Sequence, residues 1–101
     1  MYDLKNLQQL KRLNENGQEA MKAFWAFDKA AFNPGAIDVR QKQLMAVAVE
    51  LTTQCPYCID IHLKADREPG ATDQMLCETA TVAAVMWAGA AITHATHLFG
   101  V

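Results

Sequence analysis

Residues 38–66 read DVRQKQLMAVAVELTTQCPYCIDIHLKAD, and the fold turns on how this stretch is divided. Asp38 stands before an apolar-periodic run, with Gln41 three residues on, as in a capping box. A carboxylate there accepts from the free N–H groups of a first helical turn. Leu44, Val47, Ala48 and Leu51 then recur at helical spacing. The pattern predicts a helix from Asp38 that frays near Thr53 and Gln54. Pro56 suits the first turn of a second helix, where its missing N–H costs nothing, and Cys55 falls at or near the N-cap. This second helix is expected to end near Arg67. Nothing before Cys55 shows the period-two alternation of a strand.

The same reading extends outward in both directions. Leu4, Leu7, Leu10 and Leu13 lie three apart and give the first segment one apolar face. Asn14, Glu15, Asn16 and Gly17 predict a turn or kink. A second segment, Glu19 to Phe32, carries Phe24, Trp25, Phe27 and Phe32, and Asn33, Pro34 and Gly35 should stop it. Pro69 and Gly70 mark the next break. Thr72 is placed to cap a long last helix ending near Gly100, which carries the apolar run from Ala80 to Ile92. The expectation is an all-α fold of about five helices, one domain over 1–101, without internal repeat or linker.

Composition narrows the classes. The chain has 101 residues, 51% of them apolar and 20% charged, a composition that folds and does not stay disordered. So short a chain buries a modest share of its surface, so this much apolar content suggests further burial between subunits. The net charge is −2, the pI about 5.8, and no basic run is present. That argues against nucleic-acid binding and against a polybasic membrane contact. The first residues lack the apolar stretch of a secretion signal. The run from Ala80 to Ile92 is short for a bilayer and reads better as a buried helix. A cytoplasmic protein without a membrane partner is expected. In that reducing setting CxxC more often marks metal binding or catalysis than a permanent staple.

Cys55, Cys58 and His62 stand at i, i+3 and i+7, which places them on one helical face. Both thiols fall at the start of a helix, where free N–H groups and the dipole favour a thiolate. A nearby imidazole can carry the proton. The pattern thus has the parts of an activated dithiol. Haem attachment wants histidine directly after the second cysteine, and Ile59 takes that place. A structural zinc site needs a fourth ligand; Cys77, His94 and His97 are available, but no spacing repeats. A structural disulfide closing so short a loop restricts the unfolded chain little. The redox dithiol is favoured, and a zinc-binding module or a non-catalytic, redox-sensing oligomeric scaffold remain as alternatives. CPYC is also similar to the glutaredoxin motif, but that motif follows a strand.

Residues 43–66, QLMAVAVELTTQCPYCIDIHLKAD, followed by 70–91, GATDQMLCETATVAAVMWAGAA, resemble the core of the AhpD-like proteins. These belong to the alkyl hydroperoxidase D and carboxymuconolactone decarboxylase superfamily. The resemblance spans about Phe24 to His94, and the CxxCxxxH block sides with the hydroperoxidase branch. It implies an all-helical homo-oligomer, trimeric or hexameric, that reduces peroxides with thiols. It implies that Cys58 attacks the peroxide, that Cys55 closes the disulfide, and that His62 relays a proton with help from a glutamate. It requires no metal or organic cofactor, but it does require a lipoyl-type or thioredoxin-type electron donor.

One position departs from that pattern. The glutamate expected twelve residues before the first cysteine is Gln43 here, and an amide does not accept a proton as a carboxylate does. Glu50 lies two turns further on nearly the same face and interrupts an apolar run, so it is the candidate replacement; a solvent or subunit contact is its plainer reading. Cys77 reads as a small buried hydrophobe. His94 and His97 read as favourable charges near a helix C-terminus, with a metal pair as the sharper reading. Phe24, Trp25 and Phe27 read as core or interface, and Tyr57 either shapes an entrance or packs.

Overall fold

The computed structural model describes residues 2–67 and 71–100, and for 62–67 the backbone alone. Four α-helices follow in order: α1 Leu10–Phe32, α2 Val39–Thr53, α3 Pro56–Arg67 and α4 Asp73–His94. A 3-10 turn, Leu4–Gln9, leads into α1, and another, Ala95–Leu98, follows α4. No strand occurs among the described residues. The fold is all-α as expected, with one helix fewer. The turn or kink expected at Asn14–Gly17 is a kink inside α1, centred one residue later on Gln18 at φ 31° and ψ −103°. Trp25 Nε1 donates to Asn14 Oδ1 (2.6 Å) across the kink and ties its two halves together. A Cβ on Gly17 would collide with the Met21 side chain, so glycine lets the chain bend there.

Local chemistry sets the other helix ends. Asp38 Oδ1 accepts from the Gln41 N–H (2.8 Å) and starts α2. Thr72 Oγ1 accepts from the Met75 N–H (3.1 Å) and starts α4. Each such cap is worth about 1 kcal/mol. Lys42 Nζ reaches back from α2 to the carbonyls of Ala31 and Asn33 (2.9 and 2.5 Å), a favourable charge at the C-terminus of α1. The expected break at Pro69 and Gly70 lies outside the described residues.

α2 is the central element, with α3 and α4 packed on it and the end of α1 touching it. The buried apolar residues described are Val47, Ala71 and Ala83. The radius of gyration is 17.1 Å, against about 13 Å for a compact chain of this length. The accessible surface is 7999 Å², against roughly 5,700 Å² for a compact monomer of this mass. Large apolar side chains account for much of the excess: Phe24 and Phe27 on α1, Met45 and Val49 on α2, and Val82, Val85, Met86, Trp87 and Ile92 on α4. α4 is apolar around its circumference, and with the turn after it, Asp73–Leu98, it is long and apolar enough to cross a membrane by length and composition. Only 6% of its most apolar 18-residue window is buried within the chain.

Candidate active site

The junction of α2 and α3 assembles the sequence-predicted residues around one left-handed residue. Gln54 closes α2 at φ 58° and ψ 43°. The N–H groups of Gln54 and Cys55 both donate to the Glu50 carbonyl (2.7 and 3.3 Å). The reversal lets α3 start at once beside the end of α2. The Cys55 carbonyl accepts from the Ile59 N–H (3.1 Å), which makes Cys55 the N-cap of α3 and places Pro56 at its first position, as expected.

Cys55 and Cys58 are free thiols, both half-buried, with their sulfurs 2.9 Å apart. The Cys58 N–H donates to Cys55 Sγ at 3.4 Å. Either thiol can donate to the other across so short a gap. The backbone acts more on Cys55, which the N–H groups of Cys58 and Tyr57 both lower, than on Cys58, which only its own N–H lowers. The Cys58 thiol and then the Cys58 N–H hold Cys55 below the ordinary thiol range. Burial and the charge of Glu50 work weakly against them. Cys58 is pushed up to about 11 by its hydrogen bond to Cys55, by burial and by the negative charge of Cys55 and Glu50.

Glu50 is buried, with 6% of its surface exposed, and its charge bears on both thiols. That puts its carboxylate out of solvent and within electrostatic reach of the dithiol. Gln43 lies two turns earlier, about 10 Å along the axis. Its Oε1 is buried and accepts no hydrogen bond among the described residues. Arg40, one turn before it, donates from Nη2 to Met75 Sδ (3.2 Å) on α4. His62 lies in α3 one turn beyond Cys58; its side chain is outside the described residues.

Other residues fall differently from expectation. Cys77 is exposed on α4 instead of buried, because apolar neighbours on a helix that is apolar all round do not mark an interior. The rings of His94 and His97 stack 5.4 Å apart near the C-terminus of α4. Tyr57 anchors the N-terminal 3-10 turn. Its hydroxyl accepts from Asn6 Nδ2 (2.9 Å) and from the Asp3 N–H (3.3 Å), and its ring lies 5.6 Å from that of Tyr2. Asn6 and Tyr57 are 51 positions apart, and no local pattern signals their contact. An open cleft of about 180 Å³ runs between α2 and α4, walled by Leu51, Ala80, Ala83, Trp87 and Gln54, the residue before Cys55.

The model of the carboxymuconolactone decarboxylase family matches residues 18–99. The chain belongs to that family. The match begins at the kink residue of α1, so the 3-10 turn and the first part of α1 lie before it. A relative in the cox locus of Paracoccus denitrificans, itself uncharacterised, is 51% identical over 79 residues, which are 78% of this chain and 71% of that one. Among solved structures, a family protein from Legionella pneumophila in its apo form is similar at TM-score 0.77 and 32% identity, over 89% of this chain and 80% of that one. A protein from Methanobacterium thermoautotrophicum is similar at 0.77 and 32%, over 82% and 95%. A Thermotoga maritima family member, described as a candidate for involvement in the antioxidative response, is similar at 0.72 and 29%, over 82% and 71%.

Proposed function

We propose that this family member is a thiol-dependent hydroperoxide reductase of the alkyl hydroperoxidase type. The observation that supports it is the pair of free thiols 2.9 Å apart at the N-terminus of α3, beside a buried carboxylate. The chemistry balances without a metal or organic cofactor. One sulfur attacks a peroxide oxygen, the O–O bond breaks and an alcohol leaves. The second sulfur attacks the first, an S–S bond forms and water leaves. The peroxide gains two electrons, and the dithiol loses two electrons and two protons. A dithiol donor, of the lipoyl or thioredoxin type, restores the reduced pair by exchange.

The small apolar cleft beside Gln54 suits a short alkyl substituent and not a bulky one. Glu50, with His62 one turn beyond Cys58, is assigned to the proton traffic in place of Gln43. The antioxidative description of the Thermotoga relative agrees with this reading.

The active form is a homo-oligomer in the cytoplasm, a trimer or hexamer, in which a second copy covers α4. A helix apolar on all sides needs cover from protein or lipid. Here the exposed apolar side chains extend from α4 onto α1 and α2, whose other faces are polar, so a protein surface fits better than a bilayer.

The test is steady-state consumption of an organic hydroperoxide with a reduced lipoyl dithiol as donor. Turnover that vanishes in both Cys55→Ser and Cys58→Ser supports the reading. Turnover that survives in either variant, or no turnover in the wild type with any dithiol donor, removes it.

A further inference from the structure

Tyr57 stands between the two cysteines, and the start of the chain holds it. Its hydroxyl accepts from Asn6 Nδ2 (2.9 Å) and from the Asp3 N–H (3.3 Å), and its ring lies 5.6 Å from that of Tyr2, tilted by 57°. We propose that Tyr57 is a positioning residue for the thiol pair. Through it the N-terminal turn clamps the first turn of α3 and favours closure of a Cys55–Cys58 disulfide. This rests on the peroxide reading above, in which the pair works as a redox dithiol.

The packing of α3 carries the inference. Among the described residues, the elements packed against α3 are α2 and the Leu4–Gln9 turn. Cys55 is tied back to α2 by its N–H, which donates to the Glu50 carbonyl. Tyr57 ties the next part of the same turn to a second element. Local bonds alone hold that turn weakly. Pro56 has no N–H to give, and the Cys58 N–H reaches Cys55 Sγ only at 3.4 Å. Helix ends with so few bonds fray.

The turn is built to receive the hydroxyl. Asp3 Oδ1 accepts from the Lys5 N–H (2.9 Å), and the Asp3 carbonyl accepts from the Asn6 N–H (2.8 Å). These two bonds fix Asp3 and Asn6 relative to each other, and a donor from each meets the same phenolic oxygen. The family model begins to match at residue 18, so this half of the clamp lies in a part of the chain that the match does not cover.

The disulfide and the clamp restrain one turn. Each removes freedom that the other would otherwise have to remove, so each makes the other more favourable. With the thiols reduced, a fraying first turn can leave the clamp. With the disulfide closed, Tyr57 stays presented to Asn6 and Asp3. Breaking the clamp therefore costs the oxidised form more than the reduced form, and the disulfide becomes easier to reduce. The hydrogen bonds are exposed, which keeps the effect modest.

The experiment is the equilibrium between the reduced protein and glutathione disulfide, read by alkylation and intact mass across glutathione ratios. In that exchange the pair becomes the Cys55–Cys58 disulfide and glutathione disulfide becomes two thiols. One S–S bond forms, one breaks, and the two protons of the pair pass to the glutathione sulfurs. Tyr57→Phe, which keeps the ring and removes the hydroxyl, should lower the equilibrium constant by about fivefold. Asn6→Ala should lower it by about threefold, and the double variant should match Tyr57→Phe. A loss of stability shared equally by both redox forms leaves the constant unchanged, so the readout separates positioning from plain support. A constant within about twofold of wild type in either single variant, a rise, or effects that multiply in the double variant overturns the clamp. A wild-type pair that forms no disulfide with glutathione overturns the clamp and the dithiol together. A wild type that closes with glutathione but keeps its thiols against cumene hydroperoxide removes the peroxide reading alone, and the variants still decide the clamp.

Discussion

At the junction of α2 and α3 a carboxylate, Glu50, is buried beside two thiols, while along α4 Val82, Val85, Met86, Trp87 and Ile92 stand exposed. Polarity is inverted between these two regions. Burying an ionisable group costs free energy that a folded chain recovers only through its neighbours, and sites that do chemistry carry such groups. Exposing a helix that is apolar on every side costs free energy that a partner surface removes. The junction is assembled from the end of α2 and the start of α3. α4 is left incomplete by one chain. The comparison separates the dithiol junction, built by one chain, from the proposed role of a second copy, which is to cover α4.

The largest effect should come from charging the incomplete region. Replacing Val85 and Met86 by Asp is expected to weaken self-association by more than about 4 kcal/mol, roughly a thousandfold. Sedimentation should show smaller species, while limiting iodoacetamide still labels the dithiol. A wild type that is monomeric at micromolar concentration would break the comparison outright.

Glu50→Gln sharpens the other half. The negative charge of Glu50 raises both thiols, so its removal should lower both pKa values. The pH–alkylation curve should move to lower pH, and labelling at neutral pH should quicken. Peroxide consumption should fall by about tenfold at the same pH if the carboxylate moves the proton. Acceleration of both reactions would remove Glu50 from the proton traffic and leave it a purely electrostatic neighbour.

Two smaller changes test how the junction is held. Gln54 takes the left-handed conformation that favours glycine, so Gln54→Gly should stabilise the fold by about 1 kcal/mol in urea titration, with little change in the rate of thiol labelling. Asn6→Ala removes one exposed hydrogen bond to Tyr57. It should cost less than about 1 kcal/mol and increase exchange of the amides in the Leu4–Gln9 turn, with little change at α2.

How much of this was legible in the sequence depends on the range of the interaction. Asp38, Pro56 and Thr72 act through groups three or four residues away, and they start their helices where the sequence puts them. The CxxC pair and its place at a helix start were legible for the same reason. A kink near Gly17 was legible as a turn or kink, but which of the two was not, because the bond that holds α1 together runs from Asn14 to Trp25. Tyr57 met Asn6 across most of the chain, and no periodicity reports that. Cys77 was misplaced because burial was read from apolar neighbours on a helix whose apolar surface faces outward. That the Cys58 N–H points at the Cys55 sulfur is a matter of local backbone geometry, which spacing alone leaves open.

The central claim is that the Cys55–Cys58 pair passes two electrons to a peroxide. Intact mass of the reduced, metal-free protein before and after one equivalent of cumene hydroperoxide tests it most directly. The account predicts the loss of two hydrogens from each chain, mapped to a Cys55–Cys58 bond and reversed by a reduced lipoyl dithiol. Unchanged thiols, or the addition of oxygen without a disulfide, would contradict it.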